Sequence, residues 1–587
     1  MRSLVGEDNF YSDMNASVHQ QIRHLINHYQ TVQSSATLKQ LEAADAVIMI
    51  GEDVTQTAPR ISLSLRQMSK NAGKEKAAGL GVKYWSAAEV KNITQELKSP
   101  VHIISSHSTR LDDIATSTTF QNTQQQIVLI NQINNFLNDQ PTDSTSEFNQ
   151  TAKQIAEDLK QAKQPFLVTS IALNEPELLE ASLKLSRSLH SMNTSSGLIC
   201  AAPEVNSLGL SLLASPENHL QAAFNEIEQS TEHDTTLIIL ETDLYRYCHQ
   251  DKLEALFDQV KTIVVLDHLL TPTAEQADLV LPTTSFAEYQ GSWVNFEGRL
   301  QSTVSCFSPR DERRPAHQWL SKGTSFQSLI KDLSGFLPSL HDLPSLYQKR
   351  TDDFNIARQT IRSSGRTALH SYIDIKEIPP DTDQDSSYQY SQEGVASIAT
   401  SEPSAIEFSP AYIWSPGWNS SEALSHFQDN VNGPIEGSSP GILLFQTDRS
   451  GDNEEKNYPT VKPENNRSEM PEGALHLLPY HHIFTDEELS QYSQSIHRAK
   501  PEPFVRMNPE QSQKMGFKEH DLLCFSFDPE AQLDSKNEPL TLLFDNSIPE
   551  ATVLLPAYLI QSAFLENSSW VFLNQFDLSN DEENDHA

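Results

Sequence analysis

A strand, a turn and a helix follow one another between Asp45 and Lys70. Val47 to Ile50 form a short apolar run, and Gly51 begins the turn. Pro59 stands where the first turn of a helix tolerates proline. Apolar residues then recur with the spacing of a helix that packs one face on a sheet: Ile61, Leu65 and Met68. This order of elements is the pattern that most restricts the possible folds of the chain.

The same pattern recurs along the first half of the sequence. Further apolar runs begin at Val101, Pro165, Thr235 and Thr262, and the run at Pro165 is followed by a helical segment, PELLEASLKLSRSLH. Strands that alternate with helices predict parallel sheets in doubly wound domains. We therefore predict an α/β fold for this portion of the chain, with a first part over residues 1–160 and a second part over residues 161–375.

The regular alternation of apolar strands and helices ends after Gln301. Residues 376–473 contain two polar stretches, Ile378 to Ala405 and Gln446 to Gly473, which flank a Trp/Pro/Gly segment and are typical of linkers. Short apolar or alternating runs separated by turns follow, and they predict a small β-rich, barrel-like domain over residues 474–576. Residues 577–587 form an acidic tail without Lys or Arg.

Charge and hydropathy exclude several classes of function. Lys and Arg number 42 against 79 Asp and Glu, for a formal net charge of −37, which disfavours binding to nucleic acid. Apolar runs such as TIVVL are far shorter than the roughly 20 residues that span a bilayer, so no membrane insertion is predicted. The first residues lack the apolar core of a secretory signal, and we expect a cytoplasmic protein.

The sequence contains none of the common motifs for cofactors and catalysis. The four cysteines form no C-x-x-C pair, so no iron–sulfur or zinc site is predicted within this chain. The segment GLGVKYW lacks the third glycine of a dinucleotide fingerprint, and Gly73-Lys74 is not followed by Ser or Thr as in a P-loop. His481 and His482 are adjacent and cannot share one face of a regular element. We predict no catalytic residue and no metal ligand.

One polar loop is a candidate site. Leu279 to Leu281 predict a buried strand that is ended by Pro282, and ligands of open α/β sheets bind at the loops after such strands. The loop that follows contains four polar residues of interest: Glu288, Asn295, Glu297 and Arg299. The spacing alone favours a local ion pair among Glu288, Glu297 and Arg299, with Gly291 and Gly298 serving only the turns.

Several segments resemble one family in their order along the chain. GEDVTQTAPRISLSLRQ, AYIWSPGWNS and LHLLPYHHIFTDEELSQ are similar to the G subunit of bacterial NADH:quinone oxidoreductase (complex I), in its gamma-proteobacterial form. The pattern E-x-x-G-x-x-x-N-x-E-G-R-x-Q, which begins at Glu288, is similar to the whole molybdopterin oxidoreductase superfamily. The resemblance runs along nearly the whole chain.

This resemblance implies a fold and a role. It places Glu288, Asn295, Glu297 and Arg299 in the cleft where the domains of molybdopterin enzymes surround the pterin. The G-subunit family keeps the fold without molybdenum, so the loop is expected to be a relic that holds domains together. The family's iron–sulfur clusters are expected in a portion that precedes this region, which is either truncated or encoded separately. The implied partners are the other peripheral-arm subunits of complex I, at the cytoplasmic side of the inner membrane.

Three functions are compatible with these observations. The first is a scaffold part of the G subunit that is catalytically inert by itself. The second is the large part of a molybdopterin oxidoreductase with a pterin-guanine dinucleotide in the cleft. The third is a truncated paralogue that acts alone as an interaction protein.

Overall fold

The computed structural model describes most of the chain. The described residues are 1–82, 87–142, 146–215, 217–230, 235–248, 250–303, 305–321, 324–348, 441–445, 470–527, 539–560 and 569–576. The predicted linker at 378–405, nearly all of that at 446–473, the Trp/Pro/Gly segment and the acidic tail lie outside these residues.

The first structural unit is a five-stranded parallel sheet in the order β3-β2-β1-β4-β5. Its central strand β1 is buried along its whole length, as a parallel strand covered on both faces must be. The strands are β1 (Ala46–Gly51), β2 (Val101–Ser105), β3 (Ser117–Phe120), β4 (Pro165–Ser170) and β5 (Gly197–Ala201).

Helices cover both faces of this sheet. Ile48 and Ile50 of β1 point into one core, which is closed by α2 (Ala16–Thr31), α8 (Thr123–Leu137), α9 (Asn149–Gln161) and α10 (Pro176–Met192). Val47 and Met49 point into the other core, against α3 (Leu38–Ala43) and α5 (Pro59–Met68). The alternation along β1 thus serves two cores, and the predicted doubly wound α/β fold is confirmed.

The first sheet contains strands from both sides of residue 160. Strands β4 and β5 follow that residue, yet β4 pairs with β1, with Phe166 opposite Val47. The sequence pattern could not show this, because strand order in a sheet is set by packing between distant segments.

A second, three-stranded parallel sheet has the order β6-β7-β8. It comprises β6 (Thr236–Leu240), β7 (Thr262–Asp267) and β8 (Leu279–Pro282), and α12 (Leu220–Gln229) and α13 (Gln250–Phe257) contribute to its core. The prediction of a buried strand at Leu279 is corrected by the structure. The strand is present, but Leu279 is 49% and Val280 37% exposed, because β8 is the edge strand of the sheet.

The polar loop of the sequence is a β-hairpin. Strand β9 (Gly291–Val294) pairs antiparallel with β10 (Arg299–Thr303), and β10 pairs in turn with the short β11 (Ile442–Leu443). Val294 and Leu300 bury their side chains in the first core, so the hairpin is fixed to the first unit.

The C-terminal region is a closed six-stranded barrel, as the sequence predicts. The strand order is β12-β16-β13-β15-β14-β17, and side chains such as Val505, Leu542 and Val553 fill the interior. The strands are β12 (Leu475–Tyr480), β13 (Phe504–Met507), β14 (Leu522–Ser526), β15 (Leu540–Phe544), β16 (Thr552–Pro556) and β17 (Trp570–Gln575).

The other helices are short connecting elements. They are α1 (Arg2–Val5), α4 (Val54–Thr57), α6 (Asn71–Gly79), α7 (Ala87–Thr94), α11 (Ser207–Leu213), α14 (Pro272–Glu275), α15 (Ala316–Leu320), α16 (Phe326–Phe336), α17 (Ser345–Gln348), α18 (Glu488–Tyr492), α19 (Gln494–His497) and α20 (Pro509–Met515), with 3-10 turns at Leu244–Arg246, Pro338–Leu340 and Ala557–Leu559. Within the described part of the chain, no helix has the length and apolar character needed to span a membrane.

Candidate functional site

Asn295 organises the turn of the β9–β10 hairpin. Its side-chain oxygen accepts hydrogen bonds from the backbone N–H groups of Glu297 and Arg299, both at 3.0 Å. Gly298 takes the left-handed conformation that the turn needs, with φ +69°. Asn295 is therefore a turn residue whose acceptor atom is already used.

Arg299 and Glu297 connect the hairpin to its surroundings. Arg299 Nε lies 3.2 Å from Glu297 Oε2, and the guanidinium also donates to the carbonyl of Gly441 at 3.5 Å. The other carboxylate oxygen of Glu297 accepts from the N–H of Leu38 at the start of α3 (3.4 Å). These contacts join three segments that are distant in sequence.

Glu288 belongs to a different cluster. Its carboxylate pairs with Arg313 at 3.2 Å and accepts from the backbone and hydroxyl of Ser285. The side chain is almost fully buried. The structure thus brings Asn295, Glu297 and Arg299 together and leaves Glu288 with a cation that the sequence did not single out.

The carboxyl end of β1 meets the barrel around a cavity of about 10 Å³. None of the four predicted residues lines it. The lining comes from the ends of β1 and β2, from the loop after β4, and from the barrel: Gly51, Glu52, Asp53, Ser106, His107, Leu173, Leu478, Pro479, Tyr480, His481 and Leu554. This junction, rather than the hairpin, is where charged groups converge at the strand ends.

Glu52 and His481 are the unusual members of this lining. Glu52 is 3% exposed, and neither of its carboxylate oxygens has a hydrogen-bond partner among the described residues. His481 Nδ1 lies 2.7 Å from Asp486 Oδ2, while its Nε2 is buried without a partner in the same part of the chain. Burial alone would lower the pKa of His481, but the hydrogen bond and charge of Asp486, with the charge of Glu52, raise it to about 9.

A second group of carboxylates lies at the ends of β6 and β7. Arg246 NH1 lies 3.5 Å from Glu488 Oε2, and its NH2 donates to the carbonyl of Asp486 at 2.9 Å. Burial raises the pKa of Glu488 to about 7, and the charges of Asp267 and Asp243 act in the same direction against Arg246. Acidic residues placed just after an apolar strand, such as Glu52 and Asp267, are the sequence signal that could have located this region.

Comparison with known proteins identifies the family. A sequence model described as molybdopterin oxidoreductase matches residues 1–321, more than half of the chain. The chain belongs to the molybdopterin oxidoreductase family.

Within this family, relatives of one kind align with most of the chain. The G subunit of NADH-quinone oxidoreductase from Shewanella oneidensis is 31% identical over 557 residues, and that of Escherichia coli strain K12 is 30% identical over 552 residues. Each match covers 90% of this chain and 59% of the relative, so the chain spans about three-fifths of the relatives' length. The predicted resemblance to the G subunit is confirmed.

Among solved structures, the fold can be compared with acetylene hydratase from Pelobacter acetylenicus. The TM-score is 0.47 at 13% sequence identity, over 92% of this chain and 74% of that protein.

The residues at the strand ends do not fit the pterin that the family name implies. Pockets for ligands of that size occupy roughly 300 to 1,000 Å³, whereas the cavity beside Glu52 and His481 has about 10 Å³. Glu52 and Asp53 would also face the anionic pyrophosphate of a pterin dinucleotide. Burial and the charge of Glu52 raise the pKa of the Cys200 thiol, which disfavours the thiolate needed for a metal bond.

The cysteines and the other possible metal ligands of the described residues lie apart from one another in the fold. Cys200, Cys248 and Cys524 are buried, Cys306 is exposed, and these four described cysteines form no disulfide. In the part of the chain that the structure describes, no three His, Cys, Asp or Glu side chains are grouped so that they could hold a metal ion.

Proposed function

We propose that this chain is the molybdopterin-like scaffold of the G subunit in the peripheral arm of an NADH:quinone oxidoreductase. It supports electron transfer from NADH to quinone through the structure it provides and binds no molybdenum. Its partners are the other peripheral-arm subunits, which hold it at the cytoplasmic side of the inner membrane. Iron–sulfur clusters belong to the part of the subunit that lies outside the matched region.

The observation that carries the proposal is the similarity to the G subunit over 90% of the chain. The geometry supports the scaffold role in particular. The carboxyl end of β1 is closed by barrel side chains where a pterin enzyme needs a cleft, and Glu297 and Arg299 make contacts that hold segments together. In this proposal the hairpin loop is a relic of the family's cofactor cleft.

Affinity purification from the native membrane tests the proposal. The full chain carries a C-terminal tag, membranes are solubilised in a mild detergent, and the eluate is assayed for NADH oxidation by a quinone analogue. We expect this activity to copurify with the chain, and we expect less than about 0.1 molybdenum atom per chain by elemental analysis, since the site is too small for a pterin.

The two measurements separate the three candidate functions. Stoichiometric molybdenum, with pterin fluorescence after acid release, would establish the molybdopterin enzyme instead. A chain that purifies without NADH oxidation from membranes that contain the activity would establish the stand-alone interaction protein. A tagged unrelated soluble protein from the same membranes serves as the control for carry-over.

A further inference from the structure

Two polar side chains with buried atoms line one small cavity. Among the described residues, neither carboxylate oxygen of Glu52, at the end of β1, has a hydrogen-bond partner, and the buried Nε2 of His481, which follows β12, has none either. The carbonyl of Ala172 favours the charged form of this imidazole, although Nε2 makes no hydrogen bond of standard geometry. Buried polar atoms are normally hydrogen-bonded, so this arrangement needs an explanation.

The cavity has room for water. About 10 Å³ of it can be reached by the centre of a water-sized sphere, and both Glu52 and His481 line it. A water there would accept the Nε2–H of a protonated imidazole and donate to the carboxylate, which would satisfy both groups. The site is polar enough for such a water because Ser106 and Asp53 lie in the same lining.

The charges around His481 favour its protonated form. Asp486 bonds its Nδ1, the charge of Glu52 acts on it from the end of β1, Asp53 lines the same cavity, and Glu204 interacts with it from the loop before α11. Further titratable groups lie nearby: His107 and Tyr480, which line the cavity, the adjacent His482, Arg246, whose guanidinium binds the carbonyl of Asp486, and Arg506, which lies over the Tyr480 ring. The carboxylates of Asp486 and Glu52 outweigh the effect of burial and favour the imidazolium.

The cavity lies at the contact between two units of the fold. Around it, the N–H of Ile483 donates to Gln56 Oε1 at 3.3 Å, and the N–H of Ser108 donates to Ser547 Oγ at 2.9 Å. His476 Nε2 lies 3.4 Å from Glu175, a second histidine–carboxylate contact between the barrel and the first unit. Whatever joins Glu52 to His481 therefore also joins the first sheet to the barrel.

We propose that one bound water links the Glu52 carboxylate to the Nε2–H of a protonated His481, and that this bridge latches the barrel onto the first sheet. The latch places an internal cation where Glu52 would otherwise be buried unpaired. Because the pKa of His481 in the folded chain is about 9, above the ordinary 6.5, the stability that the bridge contributes is fully present below pH 6.5 and is lost as the pH rises through about 9.

Hydrogen exchange of the full-length chain tests the latch. Protection of the peptide that spans Tyr480–Phe484 is measured between pH 6 and 10 and corrected for intrinsic exchange. We expect protection to fall by about tenfold around pH 9, because loss of the bridge opens this segment locally. In Glu52→Gln the fall should move to lower pH, since a charge that favours the imidazolium has been removed.

Further variants distinguish the latch from ordinary packing. His481→Gln should remove the pH dependence and reduce protection at pH 7, and the double variant Glu52→Gln/His481→Gln should lose less protection than His481→Gln alone. His497→Gln, an exposed histidine of the same region, is the matched control and should behave as the parent chain. An unchanged midpoint in Glu52→Gln, or an unchanged pH dependence in His481→Gln, would overturn the proposal. If His481→Gln does not fold, the midpoint in Glu52→Gln can still be measured.

Discussion

At the scale of single residues, the conspicuous polar loop has a structural explanation. Asn295 fixes the hairpin turn, and Glu297 and Arg299 use their polar atoms on each other, on the start of α3 and on the strand segment at Gly441. Arginine suits this position because its planar fork donates in two directions at once. The same residues thus explain why the loop looks like a site and why it can serve as a joint.

Replacement of Arg299 tests this explanation. Arg299→Ala leaves Glu297, which is 12% exposed, without its cation, and we expect a loss of about 1 to 2 kcal/mol in unfolding free energy. Arg299→Lys should recover only part of the loss, since it cannot donate in both directions. Calorimetry of the full chain measures both variants. Lys163→Ala, which breaks the exposed pair with Glu75, is the control and should leave stability unchanged; an equal loss there would remove the special role of Arg299.

For an assembled complex the same variant has a second consequence. If the proposed scaffold function holds, replacing a residue that acts only through structure should reduce NADH oxidation in proportion to the loss of assembled complex. Normal assembly of Arg299→Ala without NADH oxidation would contradict the scaffold role and favour a group that contacts a cofactor.

At the scale of elements, the β9–β10 hairpin depends on close approach of its turn to β11. A Cβ on Gly298 would lie 2.3 Å from the ring of Phe445, which is 1% exposed, and the backbone there has a positive φ. The segment just after β11, at Phe445, therefore packs against a position where any side chain would force the ring or the turn to move. The close approach of Phe445 and the positive φ together explain why residue 298 is a glycine.

A glycine-to-alanine pair measures this constraint. Gly298→Ala combines backbone strain with a clash against a buried ring, and we expect a loss of about 1 to 3 kcal/mol. Gly335→Ala, in α16 with open space around the added methyl group, should be neutral or slightly stabilising, because alanine favours helix. Thermal unfolding of the two variants under identical conditions makes the comparison. Similar effects of both changes would mean that the turn adapts.

At the scale of the whole molecule, two α/β units and a barrel meet at the carboxyl ends of parallel strands. In doubly wound proteins this is where ligands bind. In this chain that position holds carboxylates from β1, β6 and β7 and cationic groups such as His481 and Arg246. The interior of the junction is therefore occupied by the protein's own charges.

The distribution of thiols leads to a prediction for the isolated chain. Reconstitution with iron and sulfide should give well under one cluster per chain by visible absorption, because three thiols are buried in separate elements and offer no chelate. Cys306→Ser is the control, since residual iron bound through the exposed thiol should disappear in it. A stoichiometric cluster spectrum that survives in Cys306→Ser would show that this chain carries an electron centre.

Much of the fold was predictable because local sequence patterns determine where its strands and helices form. Apolar runs such as VHIIS and PFLVTS became strands, Pro59 began a helix, and the alternating C-terminal runs closed into a barrel. These features follow from side-chain periodicity over a few residues, which any single sequence displays. The loop motif likewise predicted the hairpin's charged pair, since Glu297 and Arg299 are close in sequence.

The tertiary structure alone decided the rest, because it depends on contacts between distant segments. Edge position exposes Leu279 although its apolar run is typical of a buried strand. Glu288 pairs with Arg313 rather than with Arg299, although Arg299 is nearer in sequence. Glu52 and His481 are more than 400 residues apart and become neighbours only where the barrel packs on the first sheet. Sequence periodicity fixes which face of an element is apolar, whereas the partner of a buried charge is fixed by which elements pack together.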